Sequence, residues 1–209
     1  MALIHAHGTR AVRLTRGITG RKSVASTASN RSRRESNLSI SFMPAIRTVL
    51  ARDLRALARE VEAYPDDALV WEPLPGTANS AGTLVLHLAG NLQHFVGAVL
   101  GQTGFVRDRE AEFATRGLTR AELVARIETA AKSVDATLER ITPERCDAPY
   151  PAPVGDRTLR TADFLLHLAT HLNYHLGQID YHRRALVPDA GTVDTVPIAE
   201  LPDHQPSAR

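Results

Sequence analysis

The sequence predicts an all-α fold, a four-helix bundle, and three observations carry the prediction. Four segments repeat apolar residues at intervals of three and four, the period of one helix face. Between them no stretch alternates apolar and polar residues in the way a half-buried strand does. Prolines and glycines gather between the four segments, where the chain must reverse.

The first helix opens at Pro44, because proline suits a first helical position. Ile46, Val49, Leu50, Leu54, Leu57 and Val61 form its buried face up to the break at Tyr64-Pro65. The connection YPDDALVWEPLPGTANS carries Trp71, expected to pack over one end of the bundle. Ser80 caps the second helix, which runs to near Gly101 and buries Leu84, Leu88, Leu92, Phe95 and Val99. A polar connection of mixed charge leads to Thr119-x-x-Glu122, a capping box that opens the third helix. There Leu123, Ile127, Ala130, Ala131, Val134 and Leu138 face inward, and Thr142-Pro143 closes it. CDAPYPAPVGDRTLR reads as a loop or a short extended pair. Thr161 is the expected cap of the last helix, which reaches about Val187 before Pro188 stops it.

Residues 1–42 are rich in Arg, Ser and Thr and lack an apolar period, so they are expected to be a disordered basic extension. Three origins fit: an organelle transit segment, a basic tail, or translated sequence upstream of a start at Met43. The last is favoured because the helical pattern begins at Pro44. The plan is therefore an extension over 1–42, a bundle over 43–188 and a loose tail over 189–209. The net charge of +2 divides unevenly. The extension holds seven Arg and one Lys against Glu35, which is +7, so the other 167 residues carry 2 − 7 = −5. With the positive charge confined there, no nucleic-acid partner is expected for the bundle. No uninterrupted apolar run approaches the roughly 20 residues of a membrane span, and no membrane partner is expected. The single Cys146 excludes an internal disulfide framework and any CxxC motif, which fits a cytoplasmic location.

The chemistry is concentrated in HLATHLNYHLGQIDYH, residues 167–182, where His167, His171 and His175 recur at every fourth position of one helix. A step of four returns a side chain to nearly the same face, and imidazole is the commonest transition-metal ligand. The second helix has a matching polar stripe of His87, Asn91 and His94 beside its apolar one. At 1.5 Å of rise per residue, His87 and His94 lie about 10.5 Å apart, as do His175 and His182, while His167 and His175 are about 12 Å apart. None of these pairs can share an ion whose ligand bonds are about 2 Å long. The intrahelical pair is therefore His167/His171 or His171/His175. Asn91 and Gln178 are placed to bond the outer nitrogens of such ligands, and Asp108, Glu110 and Glu112 are candidate carboxylate bases. Arg107 and Arg109 read as a solvated charged loop, with anion binding as the alternative. His94, His167 and His182 read as rim or supporting residues.

Three segments resemble a known family. THLNYHLGQI closely resembles the last-helix signature of the DinB/YfiT-like superfamily of metal-binding four-helix bundles. LVLHLAGNLQHF resembles that family's first metal-binding histidine segment, and RDREAEF is similar to a loop of one of its branches. The resemblance spans about residues 44–188. It implies that His87, His171 and His175 bind one divalent metal ion, zinc or nickel, and that the bundle is a homodimer. It also implies a small-molecule partner, a low-molecular-weight thiol in the transferase members, whereas other members resemble metal-dependent hydrolases. Three imidazoles leave a tetrahedral cation one open position, as catalytic sites do. The alternatives are a non-catalytic metal-binding bundle and a purely structural dimerising one, because a fold alone does not fix a reaction.

Overall fold

The computed structural model describes residues 23–194 and 196–201, with side chains from residue 42 onward. The described residues are helical, without a strand. They form α1 (Ser23–Glu62), α2 (Ala81–Leu92), α3 (Arg109–Ala114), α4 (Arg120–Leu138), α5 (Pro143–Asp147) and α6 (Thr161–Leu186). The chain divides into two units, Met1–Glu35 and Ser36–Arg209. Of the first, the helical backbone from Ser23 is described, and the second carries the bundle and everything below. Expectations for residues 1–22 and 202–209 lie outside the described residues.

Four of the helices are the predicted ones. Ile46, Leu50, Leu54, Leu57 and Val61 of α1 share one core with Leu84, Leu88 and Leu92 of α2. Leu123, Ile127 and Val134 of α4 and Leu165, Leu168, Leu172 and Leu176 of α6 complete it. Ser80 caps α2 by accepting from Thr83 N–H, and both halves of the Thr119/Glu122 capping box form at α4. The Pro-rich connection before α6 closes on itself through single antiparallel bridges, Pro149 to Arg160 and Val154 to Arg157.

Several boundaries differ from the reading above. α1 begins at Ser23, and Pro44 lies inside it instead of opening it. An interior proline gives up one backbone N–H and crowds the carbonyl four residues earlier, so α1 runs continuous in spite of Pro44 and not because of it. At α6, Arg160 stands at the N-cap, and Thr161 is buried with its hydroxyl donating to Ala148 O at 3.0 Å. Thr142 caps the short α5, which has Pro143 in its first turn. α2 continues into a π-helical segment, Gln93–Leu100, whose wider turn brings Val96 fully into the core where a 3.6-residue period places Phe95. By length and composition alone this continuous stretch, Ala81–Leu100, is long and apolar enough to cross a membrane, although His87, Asn91, Gln93 and His94 interrupt its apolar run. Its buried share of 61% is that of a bundle's core helix.

Two polar links fasten α1 and the turn after it to α6. Arg183 Nε donates to Glu60 Oε2 at 2.6 Å with both side chains fully buried, and Arg183 Nη1 donates to Ala190 O at 2.7 Å. One turn along, Tyr64 Oη lies 2.7 Å from His182 Nδ1, and the other nitrogen of His182 bonds Glu72 O at 2.7 Å. His182 is thus a satisfied core histidine, not a rim residue. The tail returns along α1, where Arg55 and Arg59 hold Glu200. Trp71 donates from its indole to Leu118 O at 2.8 Å, and its ring lies so close to Gly82 that a β-carbon there would sit 2.8 Å from it.

Candidate metal centre

α2 is apolar on nearly every face, so it runs buried through the bundle and carries His87 inside with it. α6 is amphipathic. Its leucines face the core, and His171 and His175, on the adjoining arc, are half-buried. The two helices pair antiparallel, His87 opposite His171 and His175, Phe95 opposite Phe164.

The three imidazoles converge edge to face, with ring planes at 84–89° to one another. His171 Nε2 lies 3.4 Å from His87 Nε2 and 3.1 Å from His175 Nε2, and the three ligand atoms fall within 4.8 Å of one another. Nitrogens bound tetrahedrally to one ion at about 2.0–2.1 Å stand roughly 3.3 Å apart, so the spacing fits one cation. The outer nitrogens fit as well. His87 Nδ1 lies 3.2 Å from Glu112 Oε2 and His175 Nδ1 2.6 Å from Gln178 Oε1. A carboxylate and an amide oxygen only accept, so each Nδ1 carries the proton and each Nε2 turns a lone pair inward. Two lone pairs then face a third Nε2 with at most one proton to share, and a cation satisfies all three.

Burial favours the neutral form of two of these rings, His87 and His171. It lowers His87, against the opposing pull of Glu112. It takes His171 down to about 4, helped by the positive charge that His175, His87, His167 and Arg107 would contribute. The sign for stability follows. A folded-state value below the ordinary 6.5 means that the unfolded chain binds the proton first, so stability present above pH 6.5 is lost as pH falls toward 4. Metal-free protein is expected to melt at progressively lower temperature across that window. A melting temperature flat from pH 7 to pH 4 would contradict the placement of His171.

The loop RDREAEF closes over His87. Asp108 caps α3 by accepting from Ala111 N–H, and α3 carries Glu112 into the interior. Arg107 grips its carboxylate with two bonds, Nε to Oε1 at 2.7 Å and Nη2 to Oε2 at 2.8 Å. Phe113 lies against the His87 ring at 5.2 Å. Arg107 is therefore not the solvated charge read from the loop: its side chain is only 12% exposed, and its guanidinium lies 5.7 Å over Phe95. Glu112 approaches because Gly90 has no side chain; a β-carbon at 90 would overlap Glu112 Oε1. Gly90→Ala is expected to displace that carboxylate and lower divalent-cation affinity about 10- to 100-fold, the range for loss of a supporting partner. Isothermal titration with zinc measures it, and unchanged affinity would show that Glu112 does not support His87.

Gln178 bonds His175 as read from the stripe, whereas Asn91 makes no bond to a ligand imidazole. His167 is exposed and stacks on His171 at 6.1 Å, and His94 packs on Phe95, both outside the three-histidine group. Cys146 is buried and its thiol is pushed up to about 11, which makes it unreactive. The partnership of Arg107 with Glu112 was the feature the sequence reading missed. Its one local signal is Gly90, a glycine in a helix interior one turn after His87.

Compared with known proteins, the family model of the DinB superfamily matches residues 50–179. No curated protein and no solved structure matches.

Proposed function

Because the chain belongs to the DinB superfamily, we propose that it binds one divalent cation, zinc or nickel, through His87, His171 and His175, and uses the open position to bind and activate a small thiol for transfer. The observation that carries this reading is the convergence of one ligand nitrogen from each of three imidazoles within 4.8 Å, with two outer nitrogens fixed by acceptors. When bound, such an ion lowers the pKa of a thiol or water that it holds. The chain's own residues keep three uncharged ligands aimed inward and screen one side of the centre with Phe113 and α3.

A specific observation favours thiol transfer over hydrolysis. Glu112 has both oxygens engaged by Arg107 and His87, and the three-histidine group includes no carboxylate among the described residues. A hydrolysis in which a carboxylate base activates the water has no such base free here, whereas a thiol deprotonated at a cation needs none. Titrating cobalt-loaded protein with a small thiol is expected to produce a saturable thiolate-to-cobalt absorption band. Cobalt binding with no such band at millimolar thiol would remove the thiol reading and leave a metal-binding bundle. The exposed Tyr174 and Tyr181 on α6 support a homodimer as part of this reading, and sedimentation at twice 22.8 kDa would test it.

A further inference from the structure

Next to the three imidazoles stands a second set of polar groups that metal binding does not use. The helix pairing places Asn91, one turn beyond His87, between the His87 level and the Phe95 level of α2. Asn91 is only 7% exposed, and its Oδ1 is a buried acceptor without a hydrogen-bond partner. Buried polar atoms are nearly always satisfied, so an orphan one turn from a ligand centre calls for a partner from outside the chain, a water or a ligand atom. Arg107 covers the same stretch, with Nη2 3.4 Å from His87 Nδ1 and the guanidinium over Phe95. Its Nε and Nη2 hold Glu112, and no residue accepts from its Nη1 among the described residues. His94 and His167 flank the stretch. Glu112, already engaged, is the one carboxylate acting on His87 or His94.

We propose that Arg107 Nη1 and the Asn91 amide form a carboxylate subsite, so that the ligand of the centre is a small molecule with a carboxylate about one helical turn, ~5 Å, from its metal-binding atom. A half-turn of the Asn91 side chain exchanges its oxygen and nitrogen, which presents N–H to the anion. Arg107 is held rigid by Glu112, and a fixed planar fork suits a planar carboxylate. The ligand's other end rests on the reading of the centre as a metal site.

The test compares 3-mercaptopropionate with its neutral analogue 3-mercaptopropionamide on cobalt-loaded protein, followed by the thiolate absorption. The carboxylate is expected to bind about tenfold tighter at low salt, the weight of one charge-assisted hydrogen bond. In Asn91→Leu, which removes the side-chain amide, and Asn91→Asp, which sets a like charge in its place, the preference should fall to within about twofold while the amide analogue binds as before. Equal affinities in the unaltered protein, or a preference that survives both variants, overturns the subsite. Metal-free protein gives an independent reading. Propionate, and not propionamide, is expected to shift the Asn91 side-chain amide resonances in a saturable way, and no shift overturns the subsite whatever cobalt does. Failure of cobalt to bind counts against the metal centre alone.

Discussion

Changing His175 to alanine is expected to reduce divalent-cation affinity by more than about 100-fold, beyond the roughly 10- to 100-fold range for supporting residues. The melting temperature of the metal-free protein should stay within about 2 °C, because substitutions outside the packed core change stability by about 0.5 kcal/mol or less. His171→Ala should behave in the same way, since each residue supplies one of only three ligand atoms. His182→Ala is the opposing control on the same helix. It removes a ring 4% exposed that bonds Tyr64 and Glu72 at 2.7 Å each, so the protein should lose stability and keep its metal affinity. Calorimetry and zinc titration of the three variants separate the roles. A His175→Ala protein that still binds zinc tightly would assign the cluster to packing.

The largest effect on stability is expected from Arg183→Met. Removing one partner of a buried ion pair typically costs about 3–5 kcal/mol, because the remaining charge is stranded. Here both side chains are fully buried. Burial already raises the Glu60 carboxyl against the lowering influence of Arg183, and without the guanidinium the raising causes, burial and Asp180, act alone. A group whose folded value is raised contributes stability below its unfolded value and loses it as pH rises through the folded one. The deficit of the variant should therefore be greatest at neutral and alkaline pH and shrink toward pH 4. Urea unfolding at pH 8 and pH 5 checks this, and an equal deficit at both would mean that Glu60 is not stranded. Pairing Arg183→Met with Glu60→Gln should recover part of the loss, since no buried charge then remains.

The bundle was legible because burial imposes its period on the sequence. Leu50, Leu54, Leu57 and Val61 in α1 and Leu165, Leu168, Leu172 and Leu176 in α6 repeat as the packed faces do. The caps at Ser80 and Thr119 were legible for a similar reason, each being a local bond between near neighbours. The π segment was not, because no residue type encodes a widened turn. In the site, spacing showed that His171 pairs with His167 or His175, each one turn away on the same helix, and the resemblance chose His175. His87 could be placed on the correct stripe, but resemblance alone paired it with them across 84 residues. Glu112 was beyond reach. It meets His87 across 25 residues through a loop whose closure depends on the space left at Gly90 and on the grip of Arg107. The orphaned Asn91 Oδ1 likewise emerges only when its surroundings are known.

Elemental analysis of protein purified without a tag tests the metal centre most directly. About one equivalent of zinc or nickel per 22.8 kDa chain is expected, abolished in His171→Ala and retained in His182→Ala. Less than about a tenth of an equivalent in the unaltered protein, unchanged after incubation with zinc or nickel, would contradict it.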